Sequence, residues 1–252
     1  MITGEHPNED ALRHLVEEAK ERGEDVVTVE TTPDVGDAWR RAGFAEHARV
    51  FRAPVASIEQ RLGGDKAPSF GSVHVQTDDL DGVVRAVRQF VPRMPGASKG
   101  SVVAPPRNGW IAVYDELTDR SPEMLRRLAR EISDRMGAVV LLLGVEEEQV
   151  VRFVLFERGR LMDEYLSVPE YYGEIPPGDV ISLSANPTVV ARLTGADPGE
   201  IRRVAQTAES PDELSPAPEL AAELSLLLGI EGGEHGYAAA AAIPGAVDIP
   251  RE

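Results

Sequence analysis

The residues that could do chemistry gather in one stretch, 163–173, which reads Asp163-Glu164-Tyr165-Leu166-Ser167-Val168-Pro169-Glu170-Tyr171-Tyr172-Gly173. It opens on two adjacent carboxylates and holds three of the chain's five tyrosines. A second adjacent pair, Asp115-Glu116, stands where the apolar run from Trp110 gives way to polar residues. Paired carboxylates can divide general-acid and general-base work, or hold a hard divalent cation through oxygen ligands. Asp115, Glu116 and Asp163 therefore form the candidate acid–base or metal set, the plain alternative being carboxylates at strand ends that face water. Tyr165, Tyr171 and Tyr172 offer flat apolar faces with polar tips, suited to contact with a protein or a small ligand. They could equally cover a sheet beneath the helices that follow. Pro169 holds the residue before it extended, which stiffens the stretch.

Other chemistries are poorly provided for. The histidines, His6, His14, His47, His74 and His235, are scattered and show no metal-ligand spacing. His74 lies in an alternating run close to Asp78 and Asp79, so a His–carboxylate contact competes there with a simply packed histidine. Glu146-Glu147-Glu148 reads as a solvated turn. The chain has no Gly-x-Ser-x-Gly elbow, no phosphate-binding Gly-x-x-x-x-Gly-Lys-Ser/Thr loop and no dinucleotide-binding glycine fingerprint. It has no cysteine, so thiolate catalysis, disulfides and Cys-ligated metals are excluded for these residues.

Composition narrows the partners. A formal charge of -17 disfavours nucleic acid and anionic membrane surfaces, both of which need Lys and Arg. The hydrophobic fraction of 42% suits a folded protein, and with aromatics at 5% the core must be mainly aliphatic. Met1-Ile2-Thr3-Gly4-Glu5-His6 has no basic region ahead of an apolar run, and no apolar segment approaches membrane-spanning length. A cytoplasmic location is the expectation.

The elements that must position these residues follow from periodicity. Asn8 caps a helix with the stripe Leu12, Leu15, Val16 and Ala19, which Gly23 ends. A β-branched strand, Val26-Val27-Thr28-Val29, follows, then a short helix around Trp39 and a further strand near residues 48–51. Gly63-Gly64, Lys66 and Pro68 mark a linker. Beyond it the pattern predicts a strand at 73–77, a helix with Leu80, Val83, Val84 and Val87 inward, and strands at 101–104 and 110–114. A helix capped by Ser121-Pro122 comes next, then three strands at 138–145, 150–156 and 161–166. The order is β-α-β-β-α-β plus a hairpin, a ferredoxin-like arrangement. Helices capped at Asn186-Pro187 and Asp197-Pro198, and a third at 216–228, form a C-terminal annex rich in acids.

The run 8–52 is similar to the second half of a GCN5-related N-acetyltransferase. The matching residues are the helix ending Glu21-Arg22-Gly23, the strand Val26-Val27-Thr28-Val29-Glu30, and Trp39-Arg40-Arg41-Ala42-Gly43-Phe44 followed by a strand. In that family the last segment typically reads Tyr-x-x-x-Gly-Phe, and a glycine-rich loop before the helix binds the pyrophosphate of acyl-CoA. Here the residues before the helix hold only Gly4, Trp39 stands in the tyrosine's place, and the family's first half is missing. The resemblance covers about a fifth of the chain and implies a half-domain that keeps the packing scaffold.

The sequence thus predicts an α+β protein. Residues 1–62 form an acetyltransferase-like half-domain, 63–69 a linker, 70–230 a sheet domain with a helical annex, and 231–252 a loosely held tail. The leading function is a non-catalytic binding or regulatory protein, possessing no cofactor, whose contact surface lies at 163–173. One alternative is acyl-CoA-dependent N-acyl transfer completed by a second chain or domain. The other is a divalent metal site on the carboxylates. An incomplete half-domain leaves an edge or apolar face to cover, which predicts close domain packing or a homodimer.

Overall fold

The computed structural model describes residues 9–23, 26–30, 45–47, 50–54, 69–96 and 98–250. The chain divides into two units, Met1–Ala67 with Glu170–Pro176, and Pro68–Pro169 with Pro177–Glu252.

In the first unit the helix α1 (Glu9–Glu21) buries Leu12, Leu15, Val16 and Ala19, the stripe that its spacing predicts. Gly23 follows at φ 68°, the left-handed geometry that ends a helix cheaply only at glycine. Strands β1 (Val26–Glu30), β2 (Ala45–His47) and β3 (Val50–Pro54) make an antiparallel sheet in the order β1-β3-β2. The segment around Trp39, including Gly43-Phe44, and residues 63–68 of the linker lie outside the described residues.

The second unit is built on β4 (Phe70–Gln76), α2 (Leu80–Phe90), β5 (Gly100–Val103), β6 (Trp110–Asp115), α3 (Glu116–Arg120) and α4 (Pro122–Met136). Strands β7 (Val139–Glu146), β8 (Val150–Glu157) and β9 (Arg160–Leu166) follow. Then come the short helices α5 (Pro177–Ser182), α6 (Pro187–Thr194), α7 (Pro198–Val204), α8 (Ala217–Leu227) and α9 (Tyr237–Ala240), and strand β10 (Val247–Pro250). The sheet is seven-stranded, ordered β10-β5-β6-β4-β7-β8-β9, with each neighbouring pair antiparallel. No described helix is long and apolar enough to cross a membrane.

Both faces of this sheet are covered, which is why β7 reads as apolar throughout. Val140 and Leu142 point to one face, where α2 and α4 pack Val83, Val87, Leu125, Leu128 and Ile132 into the larger core. Leu141, Leu143 and Val145 point to the other, beneath Val190, Leu193, Ile201, Leu220 and Leu224 of the annex. Helix α4 sits close because the cross-strand pair Gly71 and Gly144 leaves room for Leu125: a Cβ on Gly71 would lie 2.6 Å from Leu125 Cδ2. The caps follow the sequence. Asp79, Ser121, Asn186 and Asp197 each accept a backbone N–H from the first turn of the helix that they precede.

Residues 231–252, read above as a loose tail, contribute α9 and the edge strand β10. Val247 to Pro250 pair with β5, and Ile249 enters the larger core. Four residues are too few for periodicity to reveal a strand, and its partner lies about 150 positions away in the chain.

Candidate functional site

The carboxylates singled out by the sequence serve the fold at separate places. Asp115 is fully buried; its Oδ2 accepts from Ser101 Oγ at 2.6 Å and its Oδ1 caps α3 through Leu117 N at 2.9 Å. Glu116 accepts from Arg120 Nη2 at 2.8 Å and from Lys99 N at 3.4 Å. Asp163 accepts from Asn186 N at 3.0 Å, and burial, opposed by that bond, pushes its carboxyl up to about 6. Asp115 and Asp163 sit on β6 and β9 with β4, β7 and β8 between, about 19 Å apart at the usual strand spacing. The three do not converge, and no group of three potential ligands is gathered among the described residues.

Glu164 belongs to a network that the sequence reading missed. Its Oε1 accepts from Arg126 Nη1 at 2.6 Å and from Arg152 Nη1 at 2.9 Å, while Arg152 Nε donates to Glu146 Oε1 at 2.8 Å. Glu146 is therefore a buried strand residue and no solvated turn. Burial works against the Arg152 charge, but the two carboxylates outweigh it and the guanidinium titrates above its ordinary value.

The tyrosines divide. Tyr165 is buried, stacked on Phe153 with ring centroids 5.1 Å apart, and donates to Gln206 O at 2.7 Å. Tyr171 and Tyr172 meet edge to face at 4.9 Å within the segment Glu170–Pro176, which groups with the first unit.

A cavity of about 500 Å³ lies elsewhere in the second unit, against the annex face of β6 and Ala104, which follows β5. Side chains alternate along β6, so Trp110, Ala112 and Tyr114 share that face. Ala104 N donates to Ala112 O at 2.8 Å, which sets the two alanines side by side. Small residues flanked by Trp110 and Tyr114 leave a notch in the floor. The hairpin turn at its rim is built by Asn108 and Gly109, at φ 52° and 79°, and the Arg107–Trp110 bridge closes it. That turn presents Arg107 at the mouth, exposed.

The opposite wall comes from α8, through Ala222, Ser225 and Leu226, and from the loop 230–235. Leu226 is 84% exposed, a large apolar group at the rim. The loop lies flat on the sheet because Gly232 and Gly233 lack side chains. A Cβ on Gly232, at φ 80°, would fall 2.2 Å from Tyr114 Oη, and one on Gly233 would fall 2.4 Å from Ser225 Oγ. Three polar contacts anchor this wall. Tyr114 Oη donates to Gly232 O at 3.0 Å, Asn108 Nδ2 to Glu231 Oε1 at 3.3 Å, and Tyr237 N to Asp119 Oδ2 at 2.9 Å. Burial, with the Glu234 carboxylate adding, holds the Tyr114 phenol protonated far above its ordinary range. Burial likewise pushes Asp119 up to about 6, although the N–H groups of Gly71 and Tyr237 pull the other way.

Across the sheet from Ala112 stands His74, fully buried. Its Nε2 lies 2.9 Å from Ser72 Oγ, and its Nδ1 has no hydrogen-bond partner. Burial pulls this imidazole down to about 3, so it is neutral in the fold. Of the two sequence alternatives, the simply packed histidine is the one found: no His–carboxylate contact forms, and Asp79 Oδ1 accepts from Gly82 N at 2.9 Å and caps α2.

Comparison with protein-family models, with curated proteins and with solved structures finds no match.

Proposed function

We propose that the second unit is a binding module that takes a small amphipathic molecule into the cleft between β6, with the segment 104–107 before it, and the loop 230–235. The single observation that carries this is the alanine notch between Trp110 and Tyr114, faced by a glycine loop across a half-open cavity of about 500 Å³. That size and an apolar lining with few polar groups at the rim are typical of small-ligand sites. The function class stays the one read from the sequence, binding or regulation without covalent chemistry. The contact surface moves from 163–173 to the cleft, since Tyr165, Asp163 and Glu164 have partners within the fold.

The chain order β4-α2-β5-β6-α4-β7 and the strand order β5-β6-β4-β7 support a ferredoxin-like core, extended by β8, β9 and β10. For the first unit, α1 and the antiparallel β1-β3-β2 sheet are compatible with an acetyltransferase-like half-domain.

The test is a screen of small amphipathic compounds by thermal shift on wild type and on Ala112→Leu, which fills the notch. Binding to wild type at 100 times the dissociation constant adds roughly 2.7 kcal/mol and a corresponding rise in Tm. Compounds that stabilise both proteins equally would place the ligand elsewhere.

A further inference from the structure

We infer that the ligand of this cleft is an apolar carboxylic acid, its ring or chain in the alanine notch and its carboxylate on Arg107. The inference rests on the cleft being a ligand site, as proposed above, and adds the chemical class.

Besides the Tyr114 phenol, four side chains that carry or can carry charge line the cavity: Arg107, Glu231, Glu234 and His235. Three already have polar partners. Glu231 accepts from Asn108 Nδ2, and Glu234 Oε1 stands 3.4 Å from His235 Nε2. The Arg107 side chain makes no hydrogen bond or ion pair, although two carboxylates line the same cavity. Its backbone is fixed, since Arg107 N and O both bond to Trp110 across the Asn108-Gly109 turn. A guanidinium presents paired N–H donors in a planar fork that matches a carboxylate. The turn thus fixes where the Arg107 side chain leaves the backbone, and the same cavity is lined by Trp110 and the small residues Ala104 and Ala112. A molecule with an anionic end and an apolar body matches that sequence of surfaces from rim to floor. Leu226, exposed at the rim, extends the apolar wall outward over such a body.

Isothermal titration of the full chain with 2-naphthoate, 2-naphthamide and 2-naphthylmethylammonium tests this, using wild type, Arg107→Gln and Ala112→Leu. The three probes share one ring system and differ in charge. Naphthoate is expected to bind wild type about tenfold more tightly than naphthamide, the usual return on a charge-assisted hydrogen bond. Arg107→Gln should remove that preference by weakening naphthoate more than naphthamide, and Ala112→Leu should weaken both. Equal binding of acid and amide, or preference for the ammonium, with Ala112→Leu still weakening binding, overturns the carboxylate class and leaves the cleft as a site. Absence of binding by all three probes, or binding that Ala112→Leu does not touch, overturns the inference together with the cleft reading.

Discussion

At the scale of single residues, the site depends on positions whose importance lies in what they lack. Gly232 combines a left-handed backbone with a 2.2 Å approach of its missing Cβ to Tyr114 Oη. Gly232→Ala should therefore cost roughly 1–3 kcal/mol and move the loop off the floor, read by urea unfolding and by a change in Tyr114 environment. His74 works through titration. Its folded value of about 3 lies below the ordinary 6.5, so it contributes stability above pH 6.5 that is lost as pH falls toward 3. Asp119 and Asp163 act in the opposite sense, since both are raised to about 6 and their contribution is lost as pH rises through that value. The opposing signs partly cancel in wild type. His74→Gln should remove only the acid-sensitive part, lowering the slope of stability against pH in the acid range by up to about 1.4 kcal/mol per unit. An unchanged slope would show that His74 is not buried as a neutral ring. A packed His74 is one of the two readings of its alternating run, but the depth of its burial and the close approach at Gly232 were not legible in the sequence.

At the scale of elements, the sequence was far more informative. The helix stripes, the Ser121-Pro122, Asn186-Pro187 and Asp197-Pro198 caps and the strands from Phe70 to Leu166 all follow from local periodicity and capping chemistry. What local pattern could not supply is pairing between distant segments. Edge strand β10 has only four residues, and its place beside β5 depends on a contact across the whole second unit. Ile249→Ala should accordingly cost about 2–4 kcal/mol in urea unfolding, where a loose tail would give no change. The turn between β7 and β8 makes the complementary point. Glu147 and Glu148 both adopt left-handed backbone, at φ 55° and 53°, although neither residue type favours it. Glu148→Gly is expected to stabilise by roughly 0.5–1 kcal/mol, the relief of a left-handed side chain less the added chain entropy.

At the scale of the whole molecule, the fold gives the carboxylates that are adjacent in sequence separate tasks. Asp115, Asp163 and Glu164 cap a helix, hold the start of the annex and join an arginine network, tasks that any adjacent acidic pair could perform. The cleft takes its floor from β6 and the segment 104–107 and its wall from residues 222–235, more than a hundred positions further along. Its visible signs were an Asn-Gly turn, the alternation of Trp110, Ala112 and Tyr114, and a Gly-Gly pair, none of which points to the others in the sequence. Trp110 provides the direct readout, because the only other tryptophan is Trp39. The decisive measurement is the emission of Trp110 in a Trp39→Phe background during titration with 2-naphthamide and 2-naphthoate. The account predicts a saturable change in emission that Ala112→Leu abolishes. A flat titration with both compounds, or a change that survives Ala112→Leu, would contradict it.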